Sequence, residues 1–244
     1  MMKRVLITGA GSGIGLQLAR DYAADGWQVL ACGRDQDKLA RALEGTAAQL
    51  CLFDMANREQ AASALAGERD LDLVILNAGN CEYVDDALHF DAALFERVIR
   101  TNLLGTANCL AALLPRIRPG GRLALVSSSV TWLPLTRAEA YGASKAGLDY
   151  LARSLALDLA RHDIGVSLIR PGFVDTPLTR KNDFPMPGRI AAGQASRAIR
   201  RGLARGRSEI AFPFAFITLL RLLSWLPSGG WRRLAASMTR SKHE

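Results

Sequence analysis

The fold of this chain is decided early, by the stretch Thr8-Gly9-Ala10-Gly11-Ser12-Gly13-Ile14-Gly15. The apolar run Val5-Leu6-Ile7 precedes this stretch, and apolar residues at helical spacing follow it. A glycine-rich turn between a strand and a helix lets the backbone approach a pyrophosphate, while the helix N-terminus offers unpaired N–H groups and a positive dipole end. The turn therefore predicts a dinucleotide site, and the missing Gly-Lys-Ser/Thr ending argues against an ATP-type loop.

Outward from this turn, short apolar runs alternate with helical stretches. Each run is almost wholly apolar, as strands covered on both faces must be. The predicted strands are 5–7, 28–31, 49–53, 73–76, 123–126 and 166–169, with a seventh within 205–213. Strand–helix alternation predicts an α/β fold with a doubly wound parallel sheet of about seven strands. We expect residues 1–212 to form one domain and residues 213–244 to form an apolar and basic helical extension.

Composition suits an ordinary intracellular enzyme over most of the 244 residues. We see no targeting segment, and the four cysteines include no Cys-x-x-Cys pair, so we expect reduced thiols and a cytoplasmic location. The three histidines share no ligand spacing with cysteine, and no metal site is expected. The net charge of +8 is concentrated in residues 180–244, which contain 13 Lys/Arg and 3 Asp/Glu.

The ends of the next three strands carry polar and small residues suited to a nucleotide. Gly33-Arg34 follows the second strand, where a carboxylate would bind a free ribose 2′-hydroxyl and an arginine would pair with a 2′-phosphate. This favours NADP(H) over NAD(H), although Arg34 could instead begin a solvated helix. Asp54-Met55 ends the third strand and could hold the adenine, and Asn77-Ala78-Gly79 ends the fourth, where small residues allow close passage. Each of these could also be ordinary turn chemistry.

Tyr141 and Lys145 lie four residues apart and so share one helix face. At about 4 Å and an effective dielectric near 20, the attraction between phenolate and ammonium is about 4 kcal/mol, or about three pK units. That shift would bring the pKa of the phenol towards neutrality, where it can exchange protons. An incidental surface pair is the alternative.

Two further polar residues favour the catalytic interpretation of this pair. Ser128 ends the preceding strand, 13 positions before Tyr141, and its hydroxyl could bind a substrate oxygen. Asn102 lies in an otherwise apolar helical segment, where an amide is costly without partners. It either stabilises a local kink or holds a water that feeds protons towards Lys145, and the two interpretations are compatible.

These motifs together resemble those of the short-chain dehydrogenases/reductases, over about residues 3–176. The shared elements are Thr8-Gly9-x-x-x-Gly13-Ile14-Gly15, Asn77-Ala78-Gly79, Asn102, Ser128, Tyr141-x-x-x-Lys145 and Arg170-Pro171-Gly172-x-x-x-Thr176. The resemblance implies a Rossmann-like fold and an oxidoreductase that interconverts a carbonyl and an alcohol by hydride transfer.

The resemblance also implies roles for individual residues. Tyr141 would be the general acid/base, Ser128 would orient the substrate oxygen, Lys145 would bind the nicotinamide ribose and lower the pKa of Tyr141, and Asn102 would support a proton relay. The expected cofactor-binding residues are Gly9, Ser12, Gly13, Ile14, Gly15, Arg34, Asp54, Met55, Asn77, Ala78, Gly79, Tyr141, Lys145, Pro171, Val174 and Thr176.

The chain departs from the family's pattern after its seventh predicted strand, where an apolar stretch replaces the usual glycine-rich ending. A homodimer through helices near 90–113 and 138–161 is expected rather than the family's tetramer. In the extension, Phe216, Leu219, Leu220 and Leu223 share a helical face, which could close the substrate pocket, form a subunit interface or lie on the inner face of a membrane. Arg232, Arg233, Arg240 and Lys242 could then meet anionic lipid.

The substrate is expected to be a small carbonyl compound or alcohol, with a lipophilic or acyl-chain body favoured by the apolar extension. Nucleic-acid binding is not expected, because the basic stretch contains no recognised nucleic-acid-binding motif. A non-catalytic NADP(H) sensor and a membrane-surface scaffold are the alternative functions. A sensor would not need the Asn102, Ser128, Tyr141 and Lys145 set.

Overall fold

The computed structural model describes residues 2–227, 229–233 and 235. Seven parallel strands form one sheet in the order β3-β2-β1-β4-β5-β6-β9. Their bounds are β1 Arg4–Thr8, β2 Gln28–Gly33, β3 Gln49–Leu52, β4 Leu71–Leu76, β5 Ile117–Val126, β6 Gly165–Pro171 and β9 Glu209–Phe212. The predicted doubly wound α/β sheet of about seven strands is confirmed.

Helices cover both faces of this sheet. They are α1 Gly13–Ala24, α2 Gln36–Ala42, α3 Arg58–Leu65, α4 Ala92–Ile99, α5 Gly105–Leu113, α6 Glu139–Leu159, α7 Ala192–Ala204 and α8 Phe214–Leu223. A π-helical turn, Arg100–Leu104, joins α4 to α5. None of the described helices is long and apolar enough to cross a membrane.

The two cores of the fold follow from the alternation of side chains along each strand. In β1, Leu6 packs into the core cluster that includes residues of α3, α5 and α6, whereas Val5 and Ile7 pack into the cluster that includes residues of α1, α2 and α7. Because β1 is covered on both sides, all three of these residues are fully buried. This explains why the strands are continuous apolar runs.

The chain order reverses direction at β1, since β2 lies on one side of it and β4 on the other. Such a reversal opens a crevice at the carboxyl ends of the two central strands, which is where ligands bind in open α/β sheets. The glycine-rich turn follows β1 directly, so the topology places this turn at the crevice.

Beyond β6, two short strands, β7 Val174–Asp175 and β8 Ile190–Ala191, pair in parallel and leave residues 182–189 without helix or strand. In α8, Ile217 is buried, while Leu219 is 52% exposed. The inward face of α8 therefore differs from the one the sequence pattern predicts, because Leu219 belongs to the solvent side with Phe214 and Leu222.

Candidate active site

A cavity of about 300 Å³ lies at the carboxyl ends of β1 to β4. It contains eleven of the residues expected to bind a cofactor: Gly9, Ser12, Gly13, Ile14, Arg34, Asp54, Met55, Asn77, Ala78, Gly79 and Thr176. It is completed by Thr8, Cys32, Gly33, Phe53, Asn80, Thr101, Pro177 and Leu178. The sequence motifs therefore converge on a single crevice.

The glycines of the turn are required by space as well as by backbone conformation. Gly9 and Gly13 have φ of +69° and +55°, which side chains rarely adopt. A Cβ on Gly15 would lie 2.3 Å from the Gly9 carbonyl oxygen, and one on Gly13 would lie 3.0 Å from the Thr176 methyl group. The bare backbone therefore forms a cradle that fits the pyrophosphate of a dinucleotide.

The end of β4 is bound to the end of β1 by hydrogen bonds. Thr8 Oγ1 accepts from the backbone N–H groups of Asn77 and Ala78 at 3.0 and 3.1 Å, and Asn77 Nδ2 donates to the Thr8 carbonyl at 3.0 Å. Gly13 begins α1, whose first turn contains no acidic residue, so no side chain there offsets the positive end of the dipole.

Arg34 lies at the rim of the cavity with its side chain 72% exposed. Its nearest charged partner is Asp54, at 3.6 Å, rather than the adjacent Asp35. Asp35 instead caps α2 by accepting from the backbone N–H of Lys38 at 3.0 Å. A long, exposed ion pair of this kind is weak, so the guanidinium can turn towards a phosphate.

Asn102 is fully buried inside the π-helical turn. Its Nδ2 donates to the Asn80 carbonyl and to Ser144 Oγ, both at 2.9 Å, and its Oδ1 accepts from the Asn80 N–H at 2.8 Å. Of the two sequence interpretations, the local kink is present. The amide joins the kinked helix to α6 and to the loop after β4.

Tyr141, Ser128 and Lys145 meet at the start of α6. Burial and, to a smaller extent, the nearby Cys81 thiol raise the pKa of Tyr141 above its ordinary value, and interaction with the Ser128 hydroxyl acts in the opposite direction. Lys145 Nζ donates to the Val126 carbonyl at 2.8 Å and lies 5.7 Å from the centre of the Tyr141 ring. Burial lowers the pKa of Lys145 to about 8.

These shifts differ from the expectation that Lys145 lowers the pKa of Tyr141. Desolvation favours the neutral form of both groups, and the backbone of β5 engages the ammonium. Spacing on a helix cannot predict this, because the burial of both groups comes from the surrounding fold. The Cys81 thiol is a separate influence, which interacts electrostatically with both side chains.

Of the four proposed catalytic residues, Asn102 and Lys145 approach the cavity at Gly79. A Cβ at this position would lie 3.0 Å from Asn102 Oδ1 and 3.4 Å from Lys145 Nζ, so both polar atoms lie directly behind a cavity wall. Thr176 lines the other side. Gly15, Tyr141, Lys145, Pro171 and Val174, which were also expected to bind the cofactor, are not among the lining residues.

Sequence reasoning did not identify Asn80, Thr101, Pro177 and Leu178 as lining residues. Asn80 follows the motif residue Gly79, and Thr101 precedes the motif residue Asn102. This adjacency in sequence was the signal that could have identified them as lining residues. Pro177 and Leu178 follow Thr176 in a segment whose path the motifs do not determine.

Comparison with known proteins gives one consistent family. Residues 3–185 match the family model described as short chain dehydrogenase. An uncharacterized oxidoreductase of Myxococcus xanthus is 35% identical over 242 residues, covering 93% of each chain. The cis-4-hydroxycyclohexanecarboxylate dehydrogenase of Sinomonas cyclohexanicum is 33% identical over 222 residues, covering 87% of each chain.

A solved structure extends the similarity to nearly the whole fold. A short chain dehydrogenase from Burkholderia cenocepacia, in complex with NADP, has a TM-score of 0.85 and 26% sequence identity, covering 96% of this chain and 97% of that one.

Proposed function

Because the chain belongs to the short-chain dehydrogenase family, we propose that it is an NADP(H)-dependent oxidoreductase that interconverts a carbonyl compound and an alcohol. One observation carries the proposal. Asn102 Oδ1 and Lys145 Nζ both lie against Gly79, in the wall of the dinucleotide-type crevice. Proton-transfer residues beside a nucleotide cradle are the arrangement that hydride chemistry requires.

A bound nicotinamide would supply the hydride, and protein side chains would donate and accept the proton. Tyr141 would donate a proton to the carbonyl oxygen during reduction and take it back during oxidation, while Ser128 would hold that oxygen in place. Lys145 would bind the nicotinamide ribose and, in its charged form, would favour the tyrosinate. Asn102, hydrogen-bonded to the Asn80 backbone and Ser144, supports a proton relay towards Lys145.

The same crevice supports the assignment of the remaining cofactor residues. The turn residues Gly9 to Gly15 would receive the pyrophosphate, and Asp54 and Met55, which line the same cavity, would hold the adenine. Asn77, Ala78 and Gly79 would allow the cofactor to lie close to the backbone, and Pro171, Val174 and Thr176 would hold the nicotinamide. Arg34 would pair with the 2′-phosphate, which favours NADP(H) over NAD(H).

A test of the reaction uses Tyr141→Phe, which removes the transferable proton and keeps the ring. We expect the variant to bind NADPH as the wild type does, measured by fluorescence titration. We expect its turnover of aldehydes and ketones to fall by about 10²-fold or more, since general acid catalysis contributes at least that much. Equal NADPH binding with no turnover by either protein would favour the alternative, a non-catalytic NADP(H) sensor.

For the substrate, we favour a carbonyl or alcohol on a lipophilic body. The relative from Sinomonas cyclohexanicum is named for an alcohol on a cyclohexane ring that also carries a carboxylate, so it supports a ring but not a wholly apolar substrate. The inward residue Phe216 of α8 contacts Phe173, next to Val174, so the extension contributes apolar surface near the nicotinamide end.

We propose a cytoplasmic homodimer formed through the α4–α5 and α6 helices. Leu104, Tyr150 and Leu157 expose large apolar surface there, with Leu157 81% exposed. Exposed apolar clusters of this kind mark interfaces more often than solvent faces.

The outer face of α8 supports a second contact, with an anionic membrane surface. Phe214, Leu222 and Trp225 are exposed, and Arg232 and Arg233 follow them. An apolar stripe with nearby cations suits the lipid interface. Arg240 and Lys242 lie outside the described residues.

A further inference from the structure

Ser128 begins a short turn that ends at Trp132. Residues Ser129–Trp132 form a 3₁₀-helical turn directly after Ser128. The Ser128 Oγ accepts a hydrogen bond from the backbone N–H of Val130 at 3.2 Å, and the Ser128 carbonyl accepts one from Thr131 Oγ1 at 3.0 Å. We call residues 128–132 the serine turn. Because these bonds tie the turn to Ser128, a displacement of Trp132 would displace the Ser128 hydroxyl as well.

Two arginines pack on the indole of Trp132. The guanidinium carbons of Arg170 and Arg221 lie 5.1 and 4.9 Å from the centre of its ring, within the range of cation–π contacts. Glu209 forms ion pairs with both arginines, through Oε2 with Arg170 at 2.6 Å and through Oε1 with Arg221. Arg221 belongs to α8, so the C-terminal extension contacts the serine turn directly.

The two arginines differ in how they are supported. The side chain of Arg170 is 2% exposed, and its Nε and Nη2 donate to Asp149 Oδ2 on α6 at 3.1 and 2.7 Å. Buried, charge-assisted hydrogen bonds of this kind are costly to break, so Arg170 is a fixed part of the catalytic domain. The side chain of Arg221 is 53% exposed and is the contact that the extension adds.

A second contact from the extension reaches the same loop. Trp231, which follows α8, is 7% exposed, and its Nε1 donates to the Pro134 carbonyl at 2.9 Å. A buried indole N–H requires such a partner. Pro134 lies two residues beyond Trp132, and Leu133 between them is buried. The extension therefore contacts this loop on both sides of Leu133.

Packing fixes α8 against the catalytic domain. A Cβ on Gly172, the residue after β6, would lie 2.8 Å from Phe216 Cδ1, so the absence of a side chain leaves room for this ring. Ile217 of the same helix is 4% exposed. The position of Arg221 is thus set by a packed helix rather than by an isolated surface side chain.

Deepening the proposed function, on which this inference rests, we propose that the C-terminal extension holds the serine turn and thereby positions the Ser128 hydroxyl for the substrate oxygen. Arg221 and Trp231 are the positioning residues. Neither lines the cavity, so both act through Ser128 rather than on substrate or cofactor. The apolar extension, which departs from the family's usual ending, then has a role in the reaction.

Hydrogen–deuterium exchange tests the hold on the turn without reference to turnover. Arg221→Gln removes the cation–π contact, and Trp231→Phe removes the N–H donor and keeps an aromatic ring. We expect the amides of Val130 and Thr131, in a peptide covering the serine turn, to exchange about two- to thirtyfold faster, the change in an opening equilibrium that corresponds to one lost cation–π contact. If circular dichroism shows that Trp231→Phe does not fold, Arg221→Gln, at a half-exposed side chain, decides the test.

Matched controls come from the same residue types at other places in the fold. Arg161→Gln replaces an exposed arginine beyond the end of α6. Trp27→Phe replaces a partly buried indole immediately before β2, at the edge of the sheet opposite the cavity. We expect both controls to keep the wild-type exchange of the serine turn and the wild-type kcat.

Kinetics in two backgrounds test whether the effect passes through Ser128. We expect Arg221→Gln to lower kcat for aldehydes and ketones by about tenfold, with the Kd for NADPH unchanged, because small misplacements of a positioned group are costly. In a Ser128→Ala background the same substitution should lower kcat no further, since no hydroxyl remains to be positioned. An equal loss in both backgrounds would show a general structural effect and overturn the positioning role.

The two readouts separate this inference from the proposed reaction. Carbonyl turnover by the wild type, with wild-type exchange or wild-type kcat in Arg221→Gln, supports the reaction and refutes the positioning role. A wild type that turns over no carbonyl compound refutes the reaction. Faster exchange in Arg221→Gln would then still support the hold of the extension on the serine turn, and unchanged exchange would refute it.

Discussion

Arg34 is the residue on which the choice between the two nicotinamide cofactors depends. Its guanidinium is exposed at the cavity rim, where its ion pair with Asp54 is long. We expect Arg34→Ala to raise KM for NADPH by about 10- to 100-fold, the equivalent of about 1.5–3 kcal/mol for hydrogen bonds to a charged group, with KM for NADH little changed. Steady-state kinetics with both cofactors measures this, and Arg41→Ala, an exposed arginine of α2, is the control. A wild-type preference for NADH that survives the substitution would refute the phosphate role.

Lys145 is the residue whose burial makes a pH-dependent contribution to stability. Burial lowers the pKa of Lys145 to about 8, below its value in the unfolded chain. Between these two values the unfolded chain binds more protons, so the free energy of unfolding rises with pH through that window. Below the folded value the penalty of charging a buried lysine is fully present.

We therefore expect the wild type to gain stability relative to Lys145→Met as pH rises from 7 to about 9.5, with a slope of up to about 1.4 kcal/mol per pH unit. The raised pKa of Tyr141 acts in the opposite direction, but only above the ordinary tyrosine value of about 10. Urea unfolding at several pH values measures the difference. Lys38→Met, at an exposed lysine, should show no such slope, and a flat difference for Lys145→Met would contradict the prediction.

At the scale of elements, the strands were predictable because burial on both faces leaves continuous apolar runs. The run 73–76 ends β4, and 166–169 lies within β6. β5 begins at Ile117, six residues before its apolar run, because Ile117 pairs with Leu71 and Arg122 pairs with Leu73 on either side of a register shift. Irregular pairing of that kind leaves no periodic signal in a single strand.

Helices were less predictable where tertiary contacts determine their shape. The break between α4 and α5 is a π-turn around Asn102, whose three hydrogen bonds reach Asn80 and Ser144. An asparagine in an apolar helical segment predicted that the Asn102 side chain has hydrogen-bond partners, but the sequence could not identify those partners. In α8, hydropathy could not separate the face on which Ile217 is buried from the face on which Leu222 is exposed, since both are apolar.

At the scale of the whole molecule, the large apolar side chains that the chain does not bury indicate surfaces that contact other molecules. Leu157 on α6 and Leu222 on α8 are both large, apolar and exposed, yet they belong to different surfaces. The α6 surface also exposes Tyr150, with the exposed Arg153 between Tyr150 and Leu157 on the same helical face, and Leu104 is exposed on the π-helical turn. The α8 surface is followed by Arg232 and Arg233, as membrane-surface helices are.

Two matched substitutions separate these surfaces. Leu157→Glu places a charge in the proposed dimer interface, so we expect a monomer by light scattering, with binding to anionic vesicles retained. Leu222→Glu should leave the dimer intact and abolish sedimentation with the vesicles, because the apolar stripe can no longer enter the lipid boundary. If Leu157→Glu remains dimeric while Leu222→Glu becomes monomeric, the subunits associate through α8, and the exposed side of α6 needs another explanation.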